Sequence, residues 1–137
     1  MPGFVITQTF AEHVARRERE GYQYYNGGLD LAYPTVKYQA PVYAAAPGQV
    51  IEAGWNDKGY GNYVKLQHVD GYVTLYAHLD SLAVRTSTDV DHMTLIGYLG
   101  HTGLCFGGPG NPDGVHLHFE LRKDNVPIDP MPYMAAR

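Results

Sequence analysis

His116-Leu117-His118-Phe119-Glu120-Leu121-Arg122 decides how the rest of this chain is read. On a β-strand successive side chains point to opposite faces, so His116 and His118 project together and Leu117 points the other way. Two imidazoles side by side can bind a metal, or one can bind while its neighbour moves protons. Upstream, Leu75-Tyr76-Ala77-His78-Leu79 echoes the pattern, with Tyr76 and His78 expected on one strand face beside the site. Together the two segments predict a zinc site carried by a β-sheet.

The segments around them read as further strands. Val5–Phe10, Leu29–Ala32, Pro41–Ala46, Gly48–Gly54, Tyr63–His68, Tyr72–His78, Thr94–Gly100 and Val115–Arg122 are short runs rich in apolar, β-branched or aromatic residues. Turn chemistry separates them: Pro47-Gly48, Asn56-Asp57-Lys58-Gly59, Asp70-Gly71 and Asp124-Asn125. The runs Tyr63–Val69 and Tyr72–Leu79, joined around Asp70-Gly71, predict a hairpin. The charged stretch Ala11–Glu20 reads as a helical turn or a solvated loop, and Asp89–Met93 as a polar turn. No long 3.6-residue periodicity is present. The expected fold is all-β, mainly antiparallel, with loops at one rim carrying the site.

The bulk numbers agree. A length of 137 residues fits one domain spanning 1–137, and 45% hydrophobic content is enough for a core. Only 18% of residues are charged and the formal net charge is -4, which argues against nucleic acid or an anionic membrane as the main partner. Twelve Tyr, 16 Gly and 9 Pro suit short strands, many turns and an aromatic-lined groove. Cys105 is the single cysteine, so no internal disulfide forms, and it reads as a half-buried small hydrophobe. Met1-Pro2-Gly3-Phe4-Val5-Ile6-Thr7 lacks the layout of a signal peptide, and no run approaches the ~18 apolar residues of a membrane span. Membrane insertion is not expected, and localisation and oligomeric state stay open.

The order of pieces carries a resemblance. Gly28-Leu29-Asp30 is followed by Val42-Tyr43-Ala44-Ala45-Ala46-Pro47-Gly48-Gln49-Val50, then by Gly59-Tyr60-Gly61-Asn62-Tyr63-Val64. Next come Asp70-Gly71-Tyr72-Val73-Thr74-Leu75-Tyr76-Ala77-His78-Leu79, then Gly100-His101-Thr102-Gly103, and finally His116-Leu117-His118-Phe119-Glu120. From Val5 to Pro130 this series resembles the lysostaphin-type (LytM-like) zinc metalloendopeptidases. The resemblance implies a twisted antiparallel sheet or β-sandwich of the duplicated hybrid motif type, with a loop-lined groove. It also implies Zn²⁺ as cofactor and the peptide cross-links of bacterial peptidoglycan as substrate. By that resemblance Asp30 and His118 are zinc ligands, and His78 and His116 are the catalytic, non-ligand histidines that handle the proton and the oxyanion.

One position departs from the family's His-x-Gly-x-Asp pattern. The place of the first histidine holds Asn26 in Asn26-Gly27-Gly28-Leu29-Asp30, or Tyr25 if one glycine is inserted. An amide oxygen is a hard, weak donor for Zn²⁺. Either His13 supplies the third ligand from the preceding segment, or Asn26 does so weakly or through water, or the metal site is lost. The leading expectation is a zinc endopeptidase acting on peptidoglycan, with a phage endolysin or tail-associated enzyme delivered by holin or virion as its setting. The alternative is an inactive peptidase-like domain that binds cell-wall peptides or regulates a partner hydrolase. His68, His92 and His101 read as structural or surface residues, and Tyr60 as a groove or turn residue. Gly103–Gly114 is expected to form a groove wall that shapes substrate choice.

Overall fold

Alternation builds the core. In β2 (Leu29–Ala32) and β9 (Leu117–Lys123), Leu29, Leu31, Leu117 and Phe119 are buried in one apolar cluster. The residues between them, Asp30, His118 and Glu120, point to the other face. Leu29 faces Phe119, Asp30 faces His118 and Leu31 faces Leu117 across the antiparallel pair. The register that buries the leucines therefore brings the carboxylate and the imidazole together, and a slip of one residue would send both into the core.

The computed structural model describes residues 5–12, 14–15, 28–32, 38–103, 105 and 113–134. Besides β2 and β9 it contains β1 (Val5–Gln8), β3 (Pro41–Tyr43), β4 (Gly48–Asn56), β5 (Gly61–Gln67), β6 (Tyr72–Leu82), β7 (Asp89–Val90), β8 (Leu95–Leu99) and β10 (Val126–Ile128). They join in one ten-stranded sheet with the path β1-β2-β9-β6-β5-β4-β7; β10 pairs with β9, and β8 pairs with β3 and β6. Every pairing is antiparallel. The expected β-architecture is thus the observed one. The hairpin around Asp70-Gly71 forms between β5 and β6, through a short 3-10 turn in which Asp70 and Gly71 take φ of 60° and 80°. Residues 10–12 and 14–15 are helical, and a last helical turn runs over Met131–Met134.

Two readings need correction. Asp89–Val90 is not only a polar turn: it pairs with Gly48 and Gln49 and buries Val90 in the core. Tyr76, expected beside the site, faces the core instead. It lies opposite Phe119, its ring meets that ring edge-on at 5.4 Å, and its hydroxyl reaches Ala45 N and Thr74 Oγ1.

His78 still reaches the site because strand alternation breaks there. Its φ is +65°, the left-handed region that non-glycine residues seldom adopt. Opposite it, Tyr76 pairs with Val64 and Leu79 with Asn62, so β6 carries one more residue than β5 over this stretch. That is a β-bulge, which bends a strand and re-aims a side chain. At the same point β6 changes neighbours: Ala77 pairs with His118 of β9, whereas Leu79 pairs with Leu99 of β8. The site occupies the place where those two strands part.

Candidate metal centre

Asp30, His78, His116 and His118 are brought together as expected. Asp30 Oδ1 lies 3.0 Å from His118 Nδ1 and 3.5 Å from His116 Nε2. The rings of His78 and His116 are 4.6 Å apart, and those of His78 and His118 are 6.0 Å apart. His13, Asn26 and Tyr25 lie outside the described residues.

The backbone around Asp30 needs glycine. Gly28 has φ +90°, and a Cβ there would sit 2.6 Å from the carbonyl oxygen of Phe119. The Gly-x-Asp turn thus lets β2 approach β9 closely enough to pair Asp30 with His118.

His118 is 1% exposed and has a carboxylate on each ring nitrogen. Nδ1 faces Asp30, and Nε2 is 2.8 Å from Glu120 Oε2. Glu120, equally buried, also accepts from the Tyr60 hydroxyl at 2.6 Å and from Arg122 Nη2 at 2.7 Å. Burial alone would lower the His118 pKa; the hydrogen bonds and charges of Asp30 and Glu120 override it and raise it to about 9. Burial likewise opposes the charge on Glu120, but His118 and Arg122 hold its carboxyl below the ordinary range. Asp30 Oδ1 and His118 Nδ1 are close enough to serve as two metal ligands, and Glu120 supports His118 from its other nitrogen. Glu120 and Arg122 adjoin the site and were missed by the sequence reading, and Tyr60, read as a groove or turn residue, bonds Glu120. The signal was present, since Glu120 and Arg122 continue the alternation that starts at His116.

His78 and His116 are held differently. His78 Nδ1 lies 2.8 Å from the Thr102 carbonyl, and His116 Nδ1 lies 2.6 Å from the Gly114 carbonyl. A carbonyl can only accept, so Nδ1 carries a proton in each, and His116 Nε2 lies 3.5 Å from the Asp30 carboxylate. Burial, followed by the charges of His116 and His118, pushes the His78 pKa down to about 3. Thr102 is the post for this corner: its hydroxyl donates to Leu79 O and accepts from Asn62 N. Gly61 and Gly103 make room for it, since a Cβ on Gly61 would lie 2.5 Å from the Thr102 backbone.

Cys105 is more than a half-buried hydrophobe. Its Sγ donates weakly to Thr102 O at 3.4 Å, the same carbonyl that holds His78. Among the described residues, His78, Cys105 and His116 form a group whose ligand-capable atoms all lie within 4.8 Å of one another. Burial, then the charge of Asp30, pushes the thiol up to about 12.

The other described histidines, His68, His92 and His101, stay out of the site. His68 bonds Pro47 O and Thr74 Oγ1 through its two nitrogens, and His92 is exposed. His101 is exposed and its ring packs against Tyr38. Most of the expected groove wall, residues 104 and 106–112, lies outside the described residues.

Comparison with known proteins gives these features a context. The model of peptidase family M23 matches residues 24–130. The murein hydrolase activator NlpD of Escherichia coli is 35% identical over 112 residues, which cover 82% of this chain and 27% of that protein. A zinc-containing peptidase from Vibrio cholerae superposes with TM-score 0.65 at 36% identity, over 76% of this chain and 29% of that one. The catalytic domain of lysostaphin from Staphylococcus simulans does so with TM-score 0.65 at 30% identity, over 79% of this chain and 77% of that one. The chain spans roughly a third of the length of the first curated relatives it matches, 39% and 34%.

Proposed function

The chain belongs to peptidase family M23, and from that premise we propose that it binds peptidoglycan peptides and regulates a partner hydrolase without cutting the peptides itself. The observation that carries this reading is the state of His118. Its two nitrogens face the carboxylates of half-buried Asp30 and buried Glu120, which raise its pKa to about 9 and favour a proton there in the metal-free chain. A metal at Nδ1 would have to displace that proton. The sequence offers the amide of Asn26 where the family has a histidine ligand, and a catalytic zinc ordinarily has three good protein donors. The NlpD relative is itself named a murein hydrolase activator, which supports a regulatory role. The curated relatives bear the names of bacterial lipoproteins and of hydrolase activators, so a phage setting is no part of the proposal.

The test is cosedimentation with purified, insoluble peptidoglycan. The chain is expected in the pellet, displaced by soluble peptide fragments of the wall, while the supernatant gains no new amino groups. Failure to pellet would overturn peptide binding.

A second reading, a zinc endopeptidase, is favoured by His78 and His116. Backbone carbonyls hold both Nδ1 atoms, the two rings lie 4.6 Å apart and His116 Nε2 is 3.5 Å from Asp30, a placement suited to groups that take and return a proton. It requires release of peptide fragments that stops in His78→Asn and in His116→Asn.

A further inference from the structure

We infer that Tyr38, Gln39, Asp80 and His101 form a corner that binds the primary ammonium group of a ligand, outside the candidate metal centre. Three segments meet there: Tyr38 and Gln39 precede β3, Asp80 lies in β6, and His101 follows β8. The Tyr38 hydroxyl donates to Asp80 Oδ1, and Gln39 Nε2 donates to Asp80 Oδ2 at 3.0 Å. The Tyr38 ring packs against that of His101, with centroids 5.6 Å apart.

The backbone is bent to make this arrangement. Neighbouring residues of an extended chain point to opposite sides, yet Tyr38 and Gln39 reach the same carboxylate. Gln39 has φ +65°, the left-handed region that ordinary residues seldom adopt, and the bend brings both side chains to Asp80. Two backbone bonds of 2.7 Å pin it, from Gln39 N to Leu99 O and from Leu99 N to Ala40 O. Gly100 lets the chain before His101 press against β6, since a Cβ there would sit 2.6 Å from Asp80 N. Backbone strain of this kind persists where the surroundings over-determine it, and it gathers where ligands are held.

The corner offers a fixed negative charge beside an open aromatic ring. The Tyr38 and Gln39 hydrogen bonds hold the Asp80 carboxyl below the usual carboxylate range, so it is ionised at neutral pH. A carboxylate has about four acceptor positions, so two bonds leave room for a donor from outside. The Tyr38 side chain is 50% exposed. A carboxylate and an aromatic face both attract an ammonium, which is a compact point charge. A single carboxylate supplies too few oxygen ligands for calcium or magnesium. A guanidinium prefers a two-pronged grip on both oxygens, and Tyr38 and Gln39 already occupy one position on each.

The corner adjoins the candidate site, because His101 precedes Thr102, whose carbonyl holds His78. The identity of the natural ligand rests on the proposed function: a wall peptide with a free amino group, its backbone beside His78 and His116. The corner itself is tested with small amines, separately from the cosedimentation that decides peptide binding.

The full chain, labelled with heavy nitrogen, is titrated with Nα-acetyl-lysine amide while its nuclear magnetic resonance spectrum is recorded. The expected result is saturable shifts of the Gln39 side-chain amide and of the backbone amides of Asp80 and His101. The surroundings of the exposed carboxylates Asp57 and Asp129 should show no matching shifts. Nα-acetyl-norleucine amide, which lacks the amine, should leave the corner unmoved. Asp80→Asn should weaken binding about fivefold, the scale of an exposed charge pair. Equal shifts with the norleucine compound would overturn the corner, and so would shifts spread alike over Asp57 and Asp129 or unchanged affinity in Asp80→Asn. The unmodified chain with the two compounds is decisive if the variant fails to fold. A chain that pellets with peptidoglycan but shows no lysine-dependent shifts loses this inference and keeps the proposed function.

Discussion

His78 shows how one backbone angle makes a site. At φ +65° it leaves the pleat of β6 and turns its ring from the core face towards His116. The left-handed region costs an ordinary L-residue about 1–2 kcal/mol, and least for asparagine, aspartate and glycine. A β-branched residue tolerates it worst. His78→Asn should therefore unfold at a higher urea concentration than His78→Val, by about 1–2 kcal/mol of stability. Equal midpoints would mean that the backbone at this position relaxes freely. The same residue marks the limit of the sequence reading. Leu75-Tyr76-Ala77-His78-Leu79 drew attention to the right histidine for the wrong reason, because strict alternation would have put it with Tyr76 in the core. Nothing local in the sequence announces the bulge, which depends on the partners β6 meets.

At the scale of elements, the β2–β9 pairing is the part that chemistry leans on most. Its register sets Asp30 opposite His118, and Gly28 permits the approach. In Gly28→Ala the new Cβ must push on the Phe119 carbonyl, against backbone rather than a flexible side chain, at a φ of +90°. The expected cost is about 1–3 kcal/mol, from overpacking with backbone strain in addition. Faster amide exchange should be confined to β2 and the adjoining end of β9. Unchanged exchange there would show that the pair is held from elsewhere. The strands with strong apolar patterns were legible, because each buries one face of alternating residues. Strand β7 was not: its two residues sit among acidic neighbours, and only the edge of β4 gives them a partner. Glu120 was legible in principle, as the next position on the histidine face. Cys105 was not, because its place beside His78 depends on the Thr102 carbonyl, far from any periodic segment.

For the whole molecule, the buried histidines predict a pH optimum of stability in the metal-free chain. His118 is raised to about 9 from 6.5, so its contribution is complete below about 6.5 and is lost as pH rises through about 9. His78 is lowered to about 3 from 6.5, so its contribution is complete above about 6.5 and is lost as pH falls towards about 3. Glu120, lowered from 4.5, adds a loss as pH falls below that value. Urea midpoints should peak near the shared reference value of 6.5 and decline on both sides. A midpoint that keeps rising to pH 9 would contradict a protonated His118. The same balance bears on the proposed function, since Asp30 and Glu120 favour a proton on His118 in the metal-free chain, which a metal would have to displace. The family model matches most of the chain, while the sequence has Asn26, or Tyr25 if one glycine is inserted, where the resemblance expects the first histidine. The most direct test of the account is prolonged incubation of the zinc-loaded chain with purified cross-linked muropeptides, followed by chromatography and mass spectrometry. The account predicts that the cross-linked peptides are recovered intact, in the amounts seen without protein. Peptide products that disappear in His116→Asn would contradict it and establish a peptidase.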